Sequence, residues 1–333
     1  MTDTPKVSIV LPFYNSKSTL EKAIESIVNQ IFKDFELLLI DNGSTDDSSA
    51  IAEKFADQDQ RIKVFFERQR GVVFAANNGL SNSRGEYIAR MDADDVSLPN
   101  RIADQVKLLD AQLEIGLVSG LVRYAGDDSN GGFIRYVNWS NGITRPEALY
   151  LNQFVEYPIV NPSIMIRREL YKEYGGYRDG DFPEDYEFFL RLQSHNIQMI
   201  KTDSVVLEWN DLPHRLTRTS NKYTSDAFFQ VKAKYLSKWL RENNTRHPRV
   251  IIWGGGKLAR RRSKYLEQHG VVIDSFIDVR KSSDPALIYY EDTELFKNAF
   301  ILSFVSNWDA RDQVRTFLNE HAFVEGQDYL ICA

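Results

Sequence analysis

Short apolar runs alternate with stretches in which apolar residues recur every three or four positions. Residues 7–11, Val-Ser-Ile-Val-Leu, form a run of buried-strand type that stops at Pro12-Phe13-Tyr14-Asn15. Ser18-Thr19-Leu20-Glu21 reads as a capping box. Leu20, Ala23, Ile24, Ile27, Val28 and Ile31 then follow at helical spacing. Residues 35–40 form the second strand, ending in the turn Asp41-Asn42-Gly43-Ser44-Thr45-Asp46 before a helix carrying Ile51 and Phe55. A strand over 62–66, a helix over 72–83 closed by Arg84-Gly85 and a strand over 87–91 complete this half. Strands alternating with helices predict an α/β fold, a mostly parallel sheet wrapped by helices.

Farther along, the pattern predicts a helix over 98–112, a strand over 116–124 and, after a polar turn, a hairpin return over 133–139. A helix starts near Pro146, a strand-like run covers 161–166, and a short helix over 169–174 is closed by Gly175 and Gly176. Pro183-Glu184-Asp185 opens a helix carrying Phe188, Phe189 and Leu192. Residues 209–223 are irregular and 224–241 are helical. The polar stretch 243–248 is the expected domain boundary. It divides a first domain, 1–242, with a donor half to about 115 and an acceptor half from about 116, from a small Rossmann-like α/β domain over 248–333. Beyond the boundary the alternation restarts, with strands over 250–253, 273–277 and 301–305 and a last helix.

Composition narrows the function classes. With 43% hydrophobic and 12% aromatic residues the chain fills real cores. A net charge of −6 argues against a general nucleic-acid binder. No apolar run approaches the ~18 residues that span a bilayer. The polar start and the single cysteine, Cys332, fit a cytoplasmic protein.

The chemistry gathers at the carboxyl edge of the expected sheet, where ligands bind in open α/β folds. Strand one delivers Pro12, Tyr14 and Asn15; strand two delivers Asp41, Asn42 and Ser44. The fourth strand runs into Asp92-Ala93-Asp94-Asp95, three carboxylates within four residues. On an extended chain Asp92 and Asp94 fall on one side. Paired carboxylates there suit a hard divalent ion on phosphate oxygens. An aromatic ring, amides, carboxylates and a metal pair on one rim suit a nucleotide. Taken singly, each is also an ordinary turn residue.

These runs, Val-Ser-Ile-Val-Leu-Pro-Phe-Tyr-Asn, Ile-Asp-Asn-Gly-Ser-Thr-Asp and Gly-Glu-Tyr-Ile-Ala-Arg-Met-Asp-Ala-Asp-Asp, resemble glycosyltransferase family 2, of the GT-A fold. The resemblance covers roughly residues 6–218. It implies a nucleotide-sugar donor, uridine-linked by expectation, a Mn2+ or Mg2+ ion, and transfer with inversion to a glycan or lipid-linked acceptor in surface-polysaccharide synthesis. It places Tyr14 at the base and Asn42 where the family often has a base-binding Asp. Asp92, with Ala93, lies near the ribose, and Asp94 holds the metal, with Asp92 as its partner ligand. It makes Asp185 the base that deprotonates the acceptor, with Glu184 beside it. His214, Arg215 and Arg218 belong to a loop over the donor diphosphate. In this sequence Ala76 stands where an Arg often precedes the Asn of the segment 71–79, so a diphosphate contact must come from elsewhere.

Two rivals stay open. A sugar nucleotidyltransferase wants a glycine-rich basic loop after strand one, where this chain has Pro12 to Lys17; a non-catalytic nucleotide-sugar-binding protein has no need of Asp92, Asp94 and Asp185 together. In the tail, Gly254-x-Gly256-x-x-Ala259 after a strand, with Asp278 about 20 residues on, outlines a dinucleotide fingerprint. The basic helix behind it fits a bound anion, peripheral contact with acidic lipid at the inner membrane face, or a plain solvated face.

Overall fold

The computed structural model describes residues 4–127, 130–212 and 215–333. In chain order the elements are β1 (Val7–Phe13), α1 (Leu20–Val28), β2 (Phe35–Asp41), α2 (Ser48–Gln58), β3 (Ile62–Phe66), α3 (Val72–Asn82), β4 (Tyr87–Arg90), β5 (Val96–Ser97), α4 (Arg101–Ala111) and β6 (Ile115–Ala125). There follow α5 (Gly131–Asn141), α6 (Pro146–Asn152), β7 (Met165–Arg167), α7 (Arg168–Tyr174), α8 (Glu184–Gln193), β8 (Gln198–Asn210), α9 (Leu216–Thr219) and α10 (Ser225–Asn243). The last are β9 (Arg249–Trp253), α11 (Lys257–Glu267), β10 (Val272–Asp278), β11 (Leu287–Tyr289), β12 (Ile301–Ser303), α12 (Trp308–Glu320) and β13 (Tyr329–Ile331).

The chain divides into two compact units. The first is Met1–Leu149, Pro158–Gly180 and Asn196–Thr219; the second is Tyr150–Tyr157, Asp181–His195 and Ser220–Ala333. Helices α8 and α10 thus group with the C-terminal sheet.

The first unit holds an eight-stranded sheet in the order β3-β2-β1-β4-β7-β6-β8-β5. Strands β3, β2, β1 and β4 are mutually parallel, whereas β7 runs antiparallel to both β4 and β6. Every residue of β1 and β2 is buried, as continuous apolar runs in a helix-covered parallel sheet should be. Helix α1 buries Leu20, Ala23, Ile24 and Ile27, the stripe read from the sequence. Its capping box does not form: Thr19 makes no side-chain cap, and the carbonyl of Ser16 receives the N–H groups of Thr19 and Leu20.

Two further expectations are corrected, and one strand is added. Residues 133–139 are no hairpin return but lie within α5. Their aromatic content suggests a strand, yet Phe133 and Tyr136, three apart, pack on Trp209 with ring centroids 5.6 and 5.9 Å away. Tertiary packing decides that segment. The run 161–166 starts as a 3-10 turn over Asn161–Ser163, and only Met165–Arg167 pairs in the sheet. Strand β8, 13 residues long, goes unread because charged and polar residues interrupt it. Lys201 lies inside it, with Nζ donating to the carbonyl (2.5 Å) and Oγ (2.9 Å) of Ser140. Burial pushes its pKa down to about 7. In the second unit β9 to β13 form a wholly parallel sheet, of which β11 and β13 are too short to read from the sequence.

Strand β4 is positioned by a close approach. A Cβ on Gly85 would lie 2.5 Å from the Ser8 backbone nitrogen and 2.7 Å from the Val7 carbonyl carbon, and backbone has nowhere to go. The link is clamped by Ser8 Oγ, which accepts from the Arg84 and Gly85 N–H groups and donates to Glu36. Gly85→Ala is therefore expected to cost at least about 2 kcal/mol of stability by urea unfolding. Gly132→Ala, in open space within α5, should be neutral or stabilise by up to about 1 kcal/mol.

Candidate active site

The turns after β1 and β2 are stitched to each other. Asn15, at φ +48°, accepts from the Thr45 N–H (2.8 Å) and donates its own N–H to Ser44 Oγ (3.1 Å). Asp41 is buried and accepts from the Ser44 N–H (2.8 Å) and the Ser49 hydroxyl. Asn42 is buried too, and its amide ties down the loop after β3. It donates to the carbonyls of Glu67 (3.2 Å) and Gln69 (2.7 Å) and accepts from the Gly71 N–H (2.8 Å). Pro12, Asp41 and Asn42 thus build the rim from inside, while Tyr14 and Asn15 are exposed on it.

Arg70 escaped the sequence reading. Its guanidinium lies 3.8 Å from the Tyr14 ring centroid and donates to the Tyr14 hydroxyl at 2.8 Å. The available signal was a basic pair, Arg68 and Arg70, just before Gly71. Ala76 is buried in α3, so no side chain from that position reaches a ligand.

At the end of β4 the chain turns rather than running on extended, with the Asp95 N–H set 3.4 Å from the Asp92 carbonyl. The turn brings three carboxylates together where alternation predicted two. One oxygen each from Asp92, Asp94 and Asp95 lies within 4.8 Å of the others. Asp92 is paired with Arg90 at 2.7 Å. Arg101, wholly buried, donates to the Arg90 carbonyl at 2.6 Å, and burial pushes its pKa down to about 10 against the pull of Asp95 and Asp92. Burial, then the charge of Asp92, raises Asp94 to about 6. Asp95 is raised further by burial, Asp94 and Asp92.

Asp95 Oδ1 accepts from the Asn210 N–H at 2.9 Å, but buried Oδ2 has no hydrogen-bond partner. A buried carboxylate oxygen so exposed to repulsion asks for a cation, and hard oxygen ligands suit Mg2+ or Mn2+. Asp92, Asp94 and Asp95 are the residues that would hold it; Asp95 is the member the sequence reading left unassigned. Ala93 lies buried within the turn.

The end of β8 closes on this turn through Asn210, whose Nδ2 donates to the Asp94 carbonyl at 2.7 Å. Arg215 donates to the Asn210 carbonyl (3.0 Å), stacks on Trp209 (4.3 Å) and pulls down the pKa values of Asp94 and Asp95. Arg218 is held by Asp211 at 2.6 Å and lies over Phe133. His214 lies outside the described residues.

In the second unit Glu184 and Asp185 open α8. Asp185 is half-buried, with Oδ1 accepting from the Tyr186 N–H at 2.7 Å. Glu184 is buried and accepts from the Tyr223 hydroxyl at 2.7 Å. The helix is held rigid by the buried pair Glu187–Arg191 (3.0 Å) and by the Tyr186 hydroxyl on the Gln153 carbonyl (2.7 Å).

The sequence profile described as Glycosyl transferase family 2 matches residues 8–175. An uncharacterized glycosyltransferase of Haemophilus influenzae is 35% identical over 191 residues, 56% of this chain and 71% of that protein. The crystal structure of S. aureus TarS 1–349 in complex with UDP-GlcNAc matches with a TM-score of 0.57 at 19% identity, over 79% of this chain and 71% of that one. The mannosyltransferase PcManGT from Pyrobaculum calidifontis, in complex with GDP-Man and Mn2+, matches with a TM-score of 0.50 at 20% identity, over 72% and 65%. At those identities the structural likeness speaks for the fold. With a wound sheet, an acidic turn at its carboxyl edge and a profile match across half its length, the chain belongs to glycosyltransferase family 2 and has the GT-A type of fold.

Proposed function

We propose that the protein is a metal-dependent inverting enzyme that moves a sugar from a nucleotide-diphospho-sugar, uridine-linked, to a hydroxyl of a glycan or lipid-linked acceptor in surface-polysaccharide synthesis. The observation that carries this reading is the turn of three converging carboxylates with one buried oxygen left unsatisfied. The neighbours named above, holding UDP-GlcNAc or GDP-Man with Mn2+, support a nucleotide-sugar donor.

Asp92, Asp94 and Asp95 would hold the ion, which supplies Lewis-acid stabilisation of the leaving diphosphate, worth several kcal/mol. Tyr14 and Arg70 offer a flat face and a cation for the base, and Asn42 keeps the loop beneath them in place. Arg215, whose charge already acts on Asp94, adds positive potential for the diphosphate. Arg218 is assigned to the same diphosphate. The acceptor oxygen attacks the anomeric carbon as the bond from that carbon to the phosphate oxygen breaks. The electron pair leaves on the diphosphate, and configuration inverts. Asp185 takes the hydroxyl proton, and Glu184 orients the acceptor. Such a base contributes about 10²–10⁴ in rate.

Asp185→Asn should lower transfer by about 10²–10⁴ while donor affinity holds; unchanged turnover would remove Asp185 from this role. Asp94→Asn should weaken nucleotide binding at least about tenfold with Mn2+ and little without it, read by calorimetry. Asp95→Asn should lose the same metal dependence yet raise the Tm of the ion-free protein, because it relieves an unpaired buried charge. The folded-state pKa of Asp94 lies above the ordinary carboxylate value, so the ion-free fold favours its protonated form. The ion-free protein should thus lose stability as pH rises through about 6, while metal-dependent donor binding gains over the same range. Matched calorimetric and unfolding titrations check both signs.

A further inference from the structure

Helix α11 carries five cations, Lys257, Arg260, Arg261, Arg262 and Lys264, and one acid, Glu267. It buries Ala259, Arg262, Ser263 and Leu266. Residues at i, i+4 and i+7 share a helix face. The face turned away from the buried side therefore holds Lys257, Arg261 and Lys264, all exposed. Arg260 is taken up by Asp284 at 2.8 Å and by the Gly255 carbonyl at 3.0 Å.

Helix α10 packs beside α11. Arg261 pairs with Asp226 at 2.8 Å and Arg262 donates to Ser225 Oγ at 2.7 Å, so the first turn of α10 meets the middle of α11. Lys234 lies near the end of α11, where burial, then the charge of Lys234, pushes the pKa of His269 down. The two helices thus run side by side in the same sense. The outward stripe of α10 is Gln230, Lys234, Lys238 and Arg241; Lys238 is half-buried and donates to the Ser194 carbonyl at 2.8 Å. Neither stripe contains an acid. Asp226 is held by Arg261, and Glu242 and Glu267 stand at the flanks.

A helix face that is merely solvated is usually laced with acids three or four residues from its cations. This chain has 47 Asp and Glu against 41 Lys and Arg, so six cations in two adjoining stripes run against its composition. Leu258, 41% exposed, and half-buried Tyr265 lie on the flank of α11 between the stripes.

We propose that this face of α10 and α11 docks the protein onto an anionic bilayer surface. Two helices about 8–10 Å apart spread their cations over an area, which suits a plane of single charges. Single-stranded nucleic acid wants a track of cations interleaved with aromatic rings for its bases, and no aromatic stands in either stripe. The Lys and Arg stems let their heads reach the lipid phosphates while Leu258 and Tyr265 meet the head-group layer. All these residues belong to the second unit, and the inference stands whether or not the first unit transfers a sugar.

The test is sedimentation of the full chain with vesicles of phosphatidylcholine alone or mixed equally with phosphatidylglycerol. The protein should partition onto the mixed vesicles and not onto phosphatidylcholine. Raising salt from about 0.1 M to about 1 M should release it, because the charges become screened within a few ångströms. Each cation near such a surface is worth about fivefold in affinity, so Lys257→Glu with Lys264→Glu should weaken partitioning at least about twentyfold. The Tm should hold, since both side chains are exposed. Lys33→Glu with Lys107→Glu, exposed in the first unit, makes the same change in net charge and should weaken partitioning far less. The proposal is overturned if phosphatidylcholine alone binds as well, if the α11 pair leaves partitioning unchanged, or if the Lys33 and Lys107 pair costs as much. It is equally overturned if a single-stranded oligonucleotide strips the protein from the mixed vesicles.

Discussion

Three carboxylates can share the turn after β4 because two guanidinium groups are buried with them. Arg90 reaches Asp92, and Arg101, with no exposed surface, holds the Arg90 carbonyl from below. Burying two cations is costly unless anions compensate, and crowding three anions is costly unless cations do. Each set makes the other tolerable, and the balance still leans negative. That residue of negative charge appears as raised pKa values at Asp94 and Asp95 and as an unsatisfied oxygen on Asp95. The fold stores an unfilled electrostatic demand at the place where a divalent ion and a diphosphate would meet it.

The surrounding rim serves that demand in two ways. Some of its polar residues are spent on backbone: Asp41 and Asn42 hold their own turn and the loop before α3. Others are left facing outward, as Tyr14 and Arg70 are. Asn210 joins the acidic turn to the segment carrying Arg215, so a cation whose charge acts on Asp94 and Asp95 is positioned by the backbone of β8. Polar side chains at strand ends therefore divide into builders and binders, and only hydrogen-bond partners tell them apart.

The same economy of unsatisfied groups recurs in the second unit. There the Oγ of Ser303, at the end of β12, and the Nε and Nη1 of Arg311, on α12, are buried without hydrogen-bond partners. Native interiors rarely leave such groups without partners.

The linear order of residues determined the wound sheet, the stripe of α1, the start of α8 and the placing of Asp92, Asp94 and Asp185 at strand or helix ends. These depend on apolar periodicity and turn chemistry within about a dozen residues, which a chain carries with it. Tertiary structure alone decided that 131–141 is a helix, that the charged stretch 198–210 is a strand, and that β11 and β13 complete a five-stranded sheet. It alone drew Asp95 into the acidic cluster, spent Asn42 on a loop and set Arg70 on Tyr14. The reason is common to all of these. Each depends on partners tens of residues away, such as Trp209 for Phe133, Ser140 for Lys201 and Asn210 for Asp95, and no local pattern records which distant group will be there.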